Sequence, residues 1–168
     1  EEVTSAALAK AKEALIAYAA PYPDSHAGQV PGYLPCPDQP DGNPEGAAET
    51  NCDAKDVTVI GRLPWRTLGI EPPRDGSGEC LWYAVSGSFK SNPKTDIMNW
   101  DTRGQLEGYG PDGTTPLAGS QPENRAAAVI FAPGVALGQD RQDDNQGTAQ
   151  RPVCSEDYAA TRFLEAEE

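Results

Sequence analysis

Asp38, Asp41, Asn43 and Glu45 crowd one polar loop and offer hard oxygen donors, the ligand type that calcium takes. Their spacing departs from an EF-hand loop, and Asx-turns on a solvated loop explain the same residues more simply. Calcium is therefore the one cofactor the sequence brings into view, with no further cofactor expected. Asp140, Asp143, Asp144 and Asn145 form a second such cluster, ranked the same way. Asp75 and Glu79 could be drawn as the paired carboxylates of a glycosidase, but nothing else in the chain builds a sugar cleft. Asp75-Gly76-Ser77-Gly78 leads into a strand, so it lacks the helix N-terminus that a phosphate loop uses. Ser86 lacks the Gly-x-Ser-x-Gly setting of a hydrolase nucleophile. His26 is the sole histidine, which leaves no zinc-like spacing and no evident base for a reactive thiol. The expectation is a protein without enzymatic activity. Trp65, Trp82 and Trp100 could form a carbohydrate platform. Trp65 and Trp82 are expected in the core beneath a helix, leaving Trp100, between Asn99 and Asp101, for the surface.

Four cysteines, Cys36, Cys52, Cys80 and Cys154, allow three pairings. Two disulfides formed in an oxidising compartment are the favoured reading, with four reduced thiols in a cytosolic protein as the alternative. Cys36–Cys52 is the preferred bridge, because it would staple a Pro-, Gly- and Asp-rich loop too polar to hold itself together. In the chain-entropy model such a closure gains about 3 kcal/mol. Cys80–Cys154 follows by elimination.

The balance of the chain narrows the partners. Lys and Arg number 13 against 26 Asp and Glu, for a net charge of −13 over 168 residues. Nucleic acid is excluded as an expected partner, since a polyanion would meet repulsion with no basic stripe to offset it. No run approaches the roughly 20 apolar residues of a membrane helix. Gly and Pro, 17 and 16 residues, point to a chain rich in loops.

The elements that must position these groups read as a single domain over 1–168. A helix is expected over 1–20, a stapled loop over 21–56, and a sheet with loops over 57–168. In the first segment Leu8, Ala11, Leu15 and Tyr18 recur on one helical face, extended by Val3 and Ala7. That narrow face needs a sheet or another chain to pack on, and Pro21 and Pro23 end the helix. Val57-Thr58-Val59-Ile60 reads as a short strand leading into Gly61, and Leu81 to Ser86 as the clearest strand. Ala127 to Ala132 is apolar on both faces and reads as a central strand. Leu63, Trp65 and Leu68 suit a turn that buries an aromatic. A short strand is expected near Gln105-Leu106-Glu107, and a short helix from Tyr158 to Leu164. One leading helix followed by strands gives an α+β fold, the helix packed on a small antiparallel sheet with long stapled loops.

A set of short motifs carries a family resemblance. The helical stretch Ala9-Lys10-Ala11-Lys12-Glu13-Ala14-Leu15-Ile16-Ala17-Tyr18 is followed by Gly32-Tyr33-Leu34-Pro35-Cys36-Pro37-Asp38 and Asp41-Gly42-Asn43. Next come Gly61-Arg62-Leu63-Pro64-Trp65-Arg66-Thr67-Leu68-Gly69, Asp75-Gly76-Ser77-Gly78-Glu79 and Leu81-Trp82-Tyr83-Ala84-Val85. Ala132-Pro133-Gly134 and Arg162-Phe163-Leu164-Glu165 complete it. Together these patches resemble the bacterial type IV pilin-like and pseudopilin proteins. The family's hydrophobic half-helix does not appear in this sequence and is expected ahead of Glu1. The resemblance implies a non-enzymatic subunit of a type IV pilus or type II secretion-like filament, a minor pilin or pseudopilin. It further implies other subunits as partners, an inner-membrane anchor before assembly, and a periplasmic or cell-surface location. Leu8, Ala11, Leu15 and Tyr18 are the candidate assembly residues. The alternative is an exported module that binds carbohydrate or another surface ligand through Trp100.

Overall fold

Ala, Leu, Lys and Glu carry the first segment into one helix, α1 (Glu2–Ala19), as their propensities dictate. The structure, a computed structural model, describes residues 1–40, 43–94, 97–137, 153–155 and 157–164. A second, single-turn helix, α2 (Tyr22–Ser25), follows directly, with Pro21 at its N-cap. The last carbonyl of α1 is satisfied from the loop beyond, where the Gly32 N–H donates to Ala19 O at 2.9 Å.

Three strands form the antiparallel sheet: β1 (Val59–Arg62), β2 (Trp82–Val85) and, after a separate two-stranded ribbon, β5 (Ala128–Phe131). The ribbon pairs β3 (Gly108–Tyr109) with β4 (Pro116–Ala118). A last single turn, α3 (Ala160–Phe163), lies within the segment expected to be helical. The sheet order is β1-β2-β5, with Gly61 opposite Tyr83 and Tyr83 opposite Ile130. The fold is thus α+β, an N-terminal helix with a small antiparallel sheet and two disulfides.

Three strand expectations change. The first strand starts at Val59 rather than Val57 and runs through Gly61. Glycine is needed there because a Cβ would stand 2.6 Å from the carbonyl oxygen of Asp38, which pairs with Arg62 on the outer side of β1. The segment 127–132 supplies an edge strand, not the central one; β2 is central and buried along its whole length. Near 105–107, Leu106 makes only an isolated bridge to Ala126, and the strand begins at Gly108.

The core lies between α1 and one face of the sheet. Ala7, Ala11 and Leu15 meet Leu34, Val59, Leu63, Tyr83, Val85 and the Cys36–Cys52 bridge. Small residues at 7 and 11 let the helix approach closely enough for Tyr83 to be wholly covered, and its hydroxyl donates to Pro35 O at 2.9 Å. Alternation along β2 turns Trp82 to the other face. Trp82 is buried there against Phe163, ring centroids 5.2 Å apart, and not beneath the helix as its sequence suggested.

Candidate functional site

Both disulfides take the favoured pairing. Cys36–Cys52 closes the polar loop, Cys80–Cys154 ties β2 to the C-terminal segment, and no cysteine is left free. Such bridges belong to an oxidising, extracellular or periplasmic compartment. Among the described residues no helix is long and apolar enough to cross a membrane.

The expected calcium loop is built differently. Asp38 is 2% exposed, and its Oδ2 accepts the Gly46 N–H at 2.9 Å and the Tyr158 hydroxyl at 3.1 Å. Burial pushes its carboxyl up to about 6, against the lowering pull of those donors and of Arg62. Glu45 accepts the backbone N–H groups of Val153 and Cys154, so it anchors the second disulfide rather than facing a cation. Asn43 is exposed, and Asp41 lies outside the described residues, as do Asp140, Asp143, Asp144 and Asn145. Among the described residues no three His, Cys, Asp or Glu side chains gather as a metal site. The loop already holds an internal cation. The Lys90 ammonium, fully buried, donates to the carbonyls of Cys52, Ala54 and Val57 at 2.6, 2.6 and 2.9 Å.

Asp75 and Ser86 are likewise engaged in internal hydrogen bonds. Burial alone would raise the Asp75 carboxyl, but hydrogen bonds from Ser77, Gly134 and Glu79 hold it below the usual range. It pins the 75–79 turn to the loop after β5. Ser86 is wholly buried; its hydroxyl donates to Ala126 O and accepts the Gln105 N–H.

Of the four helix residues expected at an assembly surface, Ala11 and Leu15 are spent on the chain's own core. That is a correction, and its cause is the core they enter, in which Ala11 keeps no exposed surface. Leu8 and Tyr18 are half-buried at its margins. Leu8, Lys12, Leu15 and Ile16 of α1, with Leu34 and residues 127–130, line an apolar groove of about 650 Å³ beside β5. Lys12 is the only charged residue among the described ones that line it. Val3, expected to extend the buried face, stands exposed instead, as does Ile16, which the helical pattern did not single out. Tyr18 and Tyr22 border a smaller cleft of about 450 Å³ with His26, Ser91, Asn92 and Lys94. Tyr22 stacks on His26 with centroids 3.9 Å apart, and the Lys94 ammonium lies 5.1 Å from the Tyr22 ring and 4.9 Å from Tyr33.

Trp100 is fully exposed, as expected. Trp65 is half-buried beneath Gly46, where a Cβ would strike its ring at 2.3 Å, and carries Arg66 4.8 Å from its centroid. The groove along α1 and the outer flank of that helix form the candidate functional surface. Comparison with protein families, curated proteins and solved structures finds no match to this chain.

Proposed function

We propose that the chain is the exported body of a non-enzymatic filament subunit, of the minor pilin or pseudopilin kind, that meets its neighbours through α1. The observation that carries this reading is the division of the helix. One side, with Ala7, Ala11 and Leu15, is sealed against the sheet. Another presents Ile16 at the edge of an apolar groove of about 650 Å³. Such a groove on a highly charged protein marks an interaction surface more often than chance exposure does. The family resemblance adds an upstream hydrophobic half-helix and an inner-membrane anchor to this proposal, with sister subunits as partners.

The test uses the full-length protein in its own cells. Filaments sheared from the surface are labelled with antibody raised against residues 1–168, beside a Val3→Asp/Ile16→Asp variant. Labelled filaments are expected for the natural protein. The variant should lose at least about tenfold of that labelling while keeping its melting temperature, because two buried charges at an interface cost more than 1.4 kcal/mol. A natural protein found only free, and retained on glycans through the exposed Trp100, would instead make the chain an exported binding module.

A further inference from the structure

The outer face of the sheet is closed by the C-terminal segment, and the closure turns on titratable groups. We propose that residues 157–164 form a pH-sensitive clasp, tethered at Cys154, that Asp38 and Asp157 hold shut over Trp82 in acidic solution and that loosens toward neutral pH.

The geometry is a convergence of remote pieces. Tyr158 reaches back 120 residues to donate to the buried Asp38 carboxylate at 3.1 Å. The Arg62 guanidinium sits among three rings, 5.4 Å from Trp82, 5.3 Å from Tyr158 and 5.0 Å from Phe163. It also donates to Asp157 O at 2.6 Å. The Asp157 carboxylate accepts the Ala159 N–H at 3.0 Å and Arg162 at 2.9 Å, which organises α3. The Cys80–Cys154 bridge keeps the segment attached when these contacts part. Facing Asp38 are Arg62 from β1, Glu45 from the stapled loop and Tyr158 from the clasp; Glu79, Asp157 and Arg162 complete the charges around Arg62.

Opening the clasp returns Asp38 to water, where a carboxyl titrates near its ordinary value. Closed, burial raises that carboxyl to about 6. The closed form therefore binds the proton more tightly. Its advantage is complete below the ordinary aspartate range and is lost as pH rises through about 6. Two pH units of difference correspond to about a 100-fold larger opening constant once Asp38 is ionised. Asp157 works in the opposite sense. Burial would raise it, but the Ala159 N–H and the Arg162 and Arg62 charges hold it low. Its contribution is present above the ordinary carboxylate range and is lost as pH falls through its lowered value. Closure is tightest between the two.

Hydrogen exchange of the intact, oxidised protein tests this at the amides of Ala159, Arg162 and Leu164, whose N–H groups are all bonded within the clasp. Corrected for intrinsic exchange, their opening constant is expected to rise about 30-fold between about pH 4 and pH 8. In Asp38→Asn that rise should shrink to less than about threefold. The carboxyl ¹³C signal of Asp38 in the unaltered protein supplies a reading free of any variant, and should titrate near 6. An Asp38 signal that titrates near 4, or equal pH dependence in the two proteins, would overturn the clasp.

Discussion

Lys90 reaches its three carbonyls from a fully buried position, and all three adjoin residues in the left-handed region, Asp53 at φ 61° and Asp56 at φ 60°. Burial lowers the ammonium's pKa, with the Asp53 and Asp56 charges pulling the other way. The ammonium does for this turn what a bound cation would do elsewhere, pulling carbonyl oxygens together. Arg62 among its three rings and Lys94 against Tyr22 and Tyr33 follow the same plan. A chain short of cations thus turns several of them inward. Lys90→Met keeps much of the volume but strips the ammonium from these carbonyls, of which Cys52 belongs to a buried residue while Ala54 and Val57 are exposed. It should cost about 1 to 3 kcal/mol in urea or guanidinium unfolding, the cost of one stranded buried group. An unchanged midpoint would show that water satisfies the loop. Little of this was legible beforehand. Asp38 and Glu45 lie in a stretch whose composition reads as solvated turns. Asp38 has a remote partner, Tyr158, that no local pattern announces.

α1 shows what sequence periodicity can and cannot tell. The spacing of Leu8, Ala11 and Leu15 located the helix and one buried line, since period 3.6 is a property of the helix itself. It could not tell whether the sheet or another subunit covers that line, because both look equally apolar. The strand at 128–131 failed for a related reason. A run apolar on both faces fits a central strand, yet here one flank is bounded by the groove along α1 and the strand lies at the sheet edge. The same ambiguity misplaced Trp82: alternation placed it on a face, but only the C-terminal segment decides which face is covered. The helix-to-sheet contact gives an element-scale prediction. Ala11 has no exposed surface, so Ala11→Leu must push α1 away from Tyr83 and should cost about 1 to 3 kcal/mol. Ala17→Leu, on the exposed side of the helix, should change stability by less than about 0.5 kcal/mol. Equal melting temperatures for the two variants would mean that the helix is not held against the sheet.

At the scale of the whole molecule, a charge of −13 makes copies of this body repel one another. Association must therefore draw on apolar contact, and added salt should favour it by screening charges beyond about 8 to 10 Å. The exposed flank of α1 that carries Ile16 also carries Lys12. The proposed assembly role rests on that flank meeting a neighbour. A photo-reactive residue placed at Ile16 in the full-length protein, expressed in its own cells, reads the contact directly. Illumination should produce a ladder of covalent dimers and higher species from Ile16, and none from Thr114, which stands exposed on the distant β3–β4 ribbon. A monomer band alone at Ile16, under conditions where filaments are present, would contradict the account.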